Sequence, residues 1–367
     1  MTTRSAKNAT TLDRRYYVGQ EVYDAETEKI FLQRWLYAGR VSALAEPGAY
    51  FLFEVESESV IVLQDYEGKI RAHHNVCRHR GTRLVTEPEG TFPKSIQCMY
   101  HAWTYALDGT LTGAPFMDEV ESFCKEHYPL KSVSVALWEG CIFINLASDP
   151  EPEPFEEAFA SMIGKFGDWK LDELEIAHRI VYDIPANWKL VFQNYSECYH
   201  CPALHPVLNR LTPFRNASND LEEGPYLGGP MRMEIDGGSM TMTGQRCAAP
   251  LGDLAGEDLN CVQYYTVFPN LLLSLHPDYV LIHRIDRLAT DRTRIVCDWL
   301  FHGDAIAAPD FDPSGAIEFW NMTNNQDWEV SRLSQQGISS LAYSPGPYSE
   351  LESMIAAWDR EYLKSLG

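Results

Sequence analysis

The sequence predicts an α+β protein: a small all-β part over residues 40–150, then a larger part over 151–367 that lays helices on an antiparallel sheet. Three observations lead there. Apolar residues recur with period two from about residue 40 to 147, in short runs separated by turn residues. The acidic, proline-rich segment DPEPEPFEE (149–157) then stiffens and solvates the chain as a linker would. Beyond it, strand-like and helix-like runs are mixed.

The elements follow in order. The first 19 residues are polar and read as a frayed end. Residues 24–36 (DAETEKIFLQRWL) predict a helix with Asp24 as its N-cap and Phe31 and Trp35 stacked one turn apart. We assign residues 1–39 to the larger part as its N-terminal helical segment. Tyr50–Val55, Ser59–Gln64 and Lys69–His74 alternate as strands, with turn residues at Glu46-Pro47-Gly48 and from Asp65 to Gly68. Ile96–Tyr100 and Trp103–Leu107 form a second pair, and Val133–Trp138 and Cys141–Leu146 a third. In the larger part, Phe155–Phe166 and Trp188–Tyr199 read as helices and Ala177–Ile184 as a strand. Tyr264–Phe268, Leu271–Leu275, Tyr279–Asp286 and Thr293–His302 resemble antiparallel strands, and Gly315–Leu333 and Ser349–Ser365 helices. Residues 211–260 are rich in Gly, Pro and Asn with weak periodicity, which predicts a long irregular segment near a binding site.

Composition narrows the function classes. The chain has 367 residues, 45% of them hydrophobic and 12% aromatic, so it can bury a core in each part. Lys plus Arg is 30 and Asp plus Glu is 52, a net charge of −22, which repels nucleic acid and anionic membrane. No apolar run reaches the length needed to span a bilayer, and the N-terminus lacks the apolar core of a secretory signal. Nine cysteines scattered through such a chain predict a reducing cytoplasm and thiols that are free or metal-bound.

Two constellations carry chemistry. The first is Cys77-Arg-His79-Arg-Gly81 followed by Cys98-Met-Tyr-His101-Ala-Trp103. Each half presents one thiol and one imidazole from a loop flanked by strands. Two thiolates suit one iron and two neutral imidazoles the other iron of a [2Fe–2S] cluster. A structural zinc uses the same ligand types, although zinc sites rarely begin with Cys-x-His. Four core residues with no metal is the third reading. The second constellation is NWKLVFQNYSECYHCPALHP (187–206), with Glu197, His200 and His205. Glu197 and His200, three apart, project from one helical face. His200 and His205, five apart, diverge on a straight helix, and Pro202 and Pro206 predict a break that lets them converge. Two histidines and a carboxylate make the facial triad of non-haem Fe(II), and the best carboxylate is Asp327, in TNNQDWEV (323–330).

CRHRG and YHAW resemble the loops of the Rieske iron–sulfur domain, with Cys77, His79, Cys98 and His101 at its ligand positions. Members of that family commonly have Gly where Ala102 stands and Pro where Met99 stands. With the second constellation, nearly the whole chain resembles the catalytic α-subunit of Rieske non-haem iron oxygenases. The resemblance implies that His200, His205 and Asp327 bind one mononuclear Fe(II). It also implies that Glu197 is the carboxylate bridging a cluster histidine of one subunit to an iron histidine of the next. Electron transfer between subunits then implies a homotrimer or hexamer. ECYHCPALHP, LLLSLHPDYVLIHRID and TNNQDW look similar to glycine betaine demethylases and other quaternary ammonium oxygenases. That subgroup implies O2-dependent N-demethylation of a small quaternary ammonium compound, with release of formaldehyde. An aromatic or other apolar substrate, and a choline- or carnitine-type monooxygenase, are the alternatives within the family. A lone electron-transfer protein would not need His200, His205 and Asp327 together, and a zinc-stabilised binding module would need neither redox centre. No Gly-rich dinucleotide fingerprint is present, so a separate flavin-containing, NAD(P)H-dependent reductase is implied. Tyr195, Tyr264, Tyr265, Phe268 and Trp299 are candidates for an aromatic cage around the cation. Cys124, Cys141, Cys198, Cys201, Cys247, Cys261 and Cys297 are expected to be inert thiols.

Overall fold

A computed structural model of the chain describes residues 8–367. The chain divides into two units, one over Leu32–Ala158 and one joining the residues up to Phe31 to Phe159–Gly367.

The first unit is built from three small antiparallel sheets. They are β1 (Leu36–Arg40) with β10 (Cys141–Asn145) and β9 (Ser134–Trp138); β4 (Ile70–His74), β3 (Glu58–Gln64), β2 (Ala49–Val55) and β5 (Glu89–Thr91); and β6 (Ile96–Gln97), β7 (Thr104–Tyr105) and β8 (Leu111–Gly113). Alternation in β3 sends Ile61 and Leu63 into a core that also buries Trp103, Tyr105 and the two thiols Cys77 and Cys98. β1 was not foreseen: its Leu36 lies within the run read as a helix. It pairs with β10 from Leu36↔Ile144 to Arg40↔Cys141 and so belongs to the β unit. The units therefore divide at 31/32 and 158/159, where the sequence reading placed the divisions at 39/40 and 150/151. Phe31 and Trp35 do not stack on each other. Phe31 packs edge-on to Trp188 at 5.2 Å in one unit, and Trp35 edge-on to Phe155 at 5.3 Å in the other.

The second unit has a six-stranded antiparallel sheet in the order β11 (Leu174–Ile184), β16 (Arg292–His302), β15 (Val280–Ala289), β14 (Leu271–Leu275), β13 (Cys261–Val267), β12 (Tyr226–Arg232). The central strands β14 and β15 are nearly continuous apolar runs because both faces are covered. β12 lies within the segment read as irregular. Its Gly228-Gly229-Pro230 hides the strand pattern, yet Gly228 is required: at φ +147 a Cβ there would lie 1.9 Å from the Tyr264 carbonyl oxygen. Pro230 is tolerated because β12 is the outermost strand of the sheet.

Helices pack on this sheet. They are α1 (Arg15–Val18), α2 (Gln20–Glu26), α4 (Trp188–Tyr195), α5 (Cys201–Leu204), α6 (Pro206–Leu211), α7 (Gly303–Ala307), α8 (Ser314–Ile338) and α9 (Ser353–Leu366); the short α3 (Phe155–Ala158) ends the β unit. α2 starts at Gln20 and runs into a π-helical turn, Thr27–Phe31, so Asp24 sits inside the helix and Gly19 is the N-cap. The helix expected over 155–166 stops after Ala158, and Gly164 turns the chain at φ +75. α8 is pinned to the sheet by hydrogen bonds from the Tyr182 hydroxyl to Asn321 (2.9 Å) and from Trp320 Nε1 to the Tyr279 hydroxyl (2.7 Å). Among the described residues no helix is long and apolar enough to cross a membrane.

α2, α4, β15 and α9 meet at one carboxylate. Glu26 is fully buried and accepts hydrogen bonds from Lys189 Nζ (2.5 Å), the Tyr362 hydroxyl (2.6 Å), Trp188 Nε1 (2.9 Å) and Arg287 (3.0 Å). Burial pushes the Lys189 ammonium down to about 8, against the pull of Glu26. Two cations share one anion here, so removing the anion strands both. Glu26→Ala is expected to destabilise the protein by about 3–5 kcal/mol, measured by urea unfolding, with Glu26→Gln intermediate.

Candidate metal centres and substrate cavity

The β unit presents two loops with the same backbone plan. In the first, Cys77 N–H donates to the Thr82 carbonyl (2.8 Å) and Gly81 N–H to the Cys77 carbonyl (3.0 Å). In the second, Cys98 N–H donates to the Trp103 carbonyl (2.8 Å) and Ala102 N–H to the Cys98 carbonyl (3.0 Å). Gly81 and Ala102 are thus equivalent, and both have left-handed backbones, at φ +73 and +55. This explains why glycine suits the position of Ala102. Met99, the other departure, is 87% exposed and constrains nothing.

These loops separate the four side chains into two pairs. Cys77 and Cys98 are buried, while His79 and His101 are half-buried, with ring centroids 4.7 Å apart. Trp103 stacks on His79 at 4.8 Å and 9°. The Tyr105 hydroxyl lies 3.3 Å from Cys77 Sγ and accepts from Arg78 N–H. Burial pushes the Cys77 thiol up. Burial, and then the charge of His101, pull the His79 imidazole down. Buried thiolates need a cation beside them. Among the described residues, His200, His205 and Asp327 form the one group of three or more His, Cys, Asp or Glu whose ligand atoms all fall within 4.8 Å. The Cys–His set does not close on one point, so it fits a group with two metal atoms better than a single zinc.

The second constellation sits where α4 ends. Asn187 caps that helix, its side chain accepting from Lys189 N–H (3.0 Å). The helix stops at Tyr195, so Glu197 and His200 do not share a helical face as the spacing suggested. They lie in a turn instead. Glu197 accepts from the backbone N–H groups of Tyr199 and His200, and its Oε1 is 2.5 Å from His200 Nδ1. Pro202 opens α5 and Pro206 opens α6, with His205 between them at φ −122, ψ 65. The proline breaks turn His205 toward His200, and their rings lie 5.1 Å apart.

Each imidazole is tied at Nδ1 and offers Nε2. His205 Nδ1 is held by the Gln326 side-chain oxygen (2.7 Å), and its Nε2 is 2.8 Å from Asp327 Oδ1. His200 Nε2 is 3.5 Å from the same oxygen. Burial pulls the His200 imidazole down, but Asp327 and Glu197 outweigh it and lift it to about 9. Burial raises the Asp327 carboxyl, and the two histidines more than reverse this. The centre therefore calls for positive charge, and a divalent ion in place of the His200 proton answers it. Gln326 was missed by the sequence reading, although it directly precedes Asp327.

A cavity open to solvent adjoins this centre. Tyr195 and Tyr264, two of the five candidates, line it, and Trp320 joins them. Tyr265, Phe268 and Trp299 belong elsewhere: Tyr265 hydrogen-bonds Asp220, Phe268 packs on Trp188 and Trp358, and Trp299 on His178. Two of the cysteines expected as inert thiols, Cys198 and Cys201, are joined as a disulfide that brackets His200. Of the other five, Cys141 and Cys297 are buried and Cys124, Cys247 and Cys261 half-buried.

A pair of thiols and a pair of imidazoles in a β unit, and two histidines with one carboxylate beside a cavity, define an oxygenase that carries its own electron-transfer centre. Residues 171–367 match the ring hydroxylating alpha subunit (catalytic domain), and residues 34–124 the Rieske [2Fe–2S] domain. The chain is 30% identical to the glycine betaine monooxygenase oxygenase subunit of Pseudomonas aeruginosa, over 95% of this chain and 86% of that one. It is 31% identical to the protein of the same name in Chromohalobacter salexigens, over 92% and 82%. The fold is like that of the quaternary ammonium Rieske monooxygenase CntA, with a TM-score of 0.84 at 23% identity over 100% of this chain and 99% of that one. The chain belongs to the Rieske non-haem iron monooxygenases. Its cofactors are one [2Fe–2S] cluster and one mononuclear iron; alpha subunits of this family need a reductase partner and O2 and form multimers.

The grip of Gln326 on His205 is testable. Gln326→Leu is expected to weaken Fe(II) binding about 10- to 100-fold, measured by titrating protein freed of mononuclear iron, while the cluster's visible spectrum is kept.

Proposed function

We propose that this chain hydroxylates an N-methyl group of a small quaternary ammonium compound such as glycine betaine and so demethylates it. In this reading Cys77 and Cys98 hold one cluster iron and His79 and His101 the other. His200, His205 and Asp327 hold the mononuclear iron, and Glu197 links His200 to a cluster histidine of a neighbouring subunit. The working form is a homotrimer or hexamer in the cytoplasm, served by a flavin-containing NAD(P)H-dependent reductase.

One observation carries the choice of substrate. The cavity that adjoins His200, His205 and Asp327 is walled by Tyr195, Tyr264 and Trp320, and among its described lining residues there is no Lys or Arg. A methylammonium cation is attracted to ring faces and to the nearby carboxylates, and no Lys or Arg repels it. The rings are held in place: the Tyr195 hydroxyl is hydrogen-bonded to Leu273 and Ser274, and Trp320 to Tyr279. The relatives' names concern glycine betaine, which agrees with this cavity.

When bound, the mononuclear iron supplies the site at which O2 is activated by electrons arriving through the cluster. The chain's own residues do the rest. Glu197 and Gln326 accept from the two Nδ1–H groups, which leaves both Nε2 lone pairs directed at the metal position. Asp327 adds the negative charge that offsets the ion. The aromatic walls exclude water and set one N-methyl group toward that position. The net reaction consumes two electrons and two protons, puts one oxygen atom into a C–H bond and releases the other as water. The resulting N-hydroxymethyl group gives up its hydroxyl proton to water and breaks its C–N bond; formaldehyde leaves and the amine nitrogen keeps the electron pair.

With a reductase and O2, the protein is expected to release formaldehyde from at least one of glycine betaine, carnitine and choline. Release from none of them, with turnover of an aromatic hydrocarbon instead, would overturn the proposal. The ligand roles have their own test. The brown wild-type protein should contain about three irons per chain. Asp327→Ala should keep the cluster spectrum and lose one iron, whereas Cys77→Ser should lose the cluster.

A further inference from the structure

The disulfide between Cys198 and Cys201 closes a loop around Tyr199 and His200, and both cysteines line the substrate cavity. Cys198 is half-buried and Cys201 is 3% exposed, so Cys198 is the sulfur open to attack. The three proposed iron ligands are not equally well held. His205 is buried and fixed by Gln326, and Asp327 rides on the long helix α8. His200 is the most exposed of the three and stands in a turn. That turn is stitched by backbone hydrogen bonds (Cys201 N–H to the Cys198 carbonyl, 3.1 Å, and Ala203 and Leu204 N–H to the His200 carbonyl, 3.1 and 3.0 Å), by the Glu197 carboxylate and by the disulfide, which is its one covalent tie.

We infer that Cys198 and Cys201 form a thiol–disulfide exchange site that sets how firmly His200 is presented to the metal. This rests on the reading of His200, His205 and Asp327 as metal ligands. The co-reactant is a small thiol that enters through the cavity mouth. Its thiolate attacks the Cys198 sulfur; the S–S bond breaks, and the Cys201 sulfur leaves with the electron pair and takes up a proton. A second small thiol then resolves the mixed disulfide, giving two protein thiols and one small-molecule disulfide. Two electrons pass from the small thiols to the protein. The reduced turn keeps Glu197 but loses its covalent clamp, and His200 gains freedom. An occupied cavity blocks the approach, so bound substrate protects the oxidised state.

The test uses the full-length protein with its cluster intact and its mononuclear iron removed. One portion is reduced with tris(carboxyethyl)phosphine, the reductant is removed without air, and both portions are titrated with Co(II). Alkylation and mass spectrometry of the 198–201 peptide assign the redox state. Reduction is expected to weaken Co(II) binding about tenfold without altering the cluster spectrum. Cys198→Ser is expected to show the weakened affinity and no response to reductant. Equal affinity in the two states, or free thiols at both positions in protein isolated without reductant, overturns the inference alone. Failure of Co(II) to bind in either state overturns the metal-site reading beneath it.

Discussion

The buried carboxylate of Glu26 is the interaction on which the catalytic unit's arrangement depends. A charge in a core is tolerable only when its acceptor positions are filled, and here donors from three other elements converge on it. Those elements are α4, β15 and α9, while Glu26 itself ends α2. The position of α4 is thereby fixed against the sheet at its first turn. That placement matters because α4 hands the chain, within a few residues of its last turn, to Glu197 and His200. Apolar packing alone, such as that of Phe31 and Trp358 around Trp188, would let the helix slide; four directional bonds to one group do not.

From that anchor the metal centre is built by interrupting helices rather than by extending them. Tyr195 ends one helix, Pro202 and Pro206 start two more, and His200 and His205 stand at the breaks, facing Asp327 on the unbroken α8. A single helix could not point residues 200 and 205 at one place. The β unit solves the analogous problem differently. It repeats one loop plan twice, so that two thiols face the core and two imidazoles face outward. The imidazole side is the more exposed one, which suits the face through which an electron leaves.

How much of this was legible in the sequence depended on how local the signal was. The strands from Tyr50 to His74 and from Leu271 to His302 could be read because alternation or apolar runs mark them. β12 could not, because it is shaped by the close approach of the Tyr264 carbonyl, and the resulting Gly-Gly-Pro looks like a loop. β1 could not, because its partner β10 lies about a hundred residues away. That His200, His205 and Asp327 come together was expected from residue type, spacing and the family resemblance. The grip of Gln326 on His205 was not, since it joins residues 121 positions apart. Of the five aromatic candidates only Tyr195 and Tyr264 line the cavity; Tyr265 and Tyr264 alternate across the strand, so only one of the two can face it. Trp320 is brought to the cavity by α8, which spacing alone does not place.

The charge of the centre ties metal and substrate together. Two carboxylates, Glu197 and Asp327, lie within hydrogen-bond reach of two imidazoles, and the His200 imidazole is held protonated to about 9 to offset them. The described cavity wall adds rings and no Lys or Arg. A site so composed favours any cation that fits, first the divalent ion that displaces the proton and then a cation that enters beside it. A neutral hydrocarbon gains only burial from the same walls and nothing from the field. A compound with a permanent positive charge gains both, and it cannot lose that charge by deprotonation as a tertiary amine can. Under the proposed function, a quaternary centre gains from the same electrostatics that suit a divalent ion, and the chain's excess of 22 negative charges acts in the same direction at longer range.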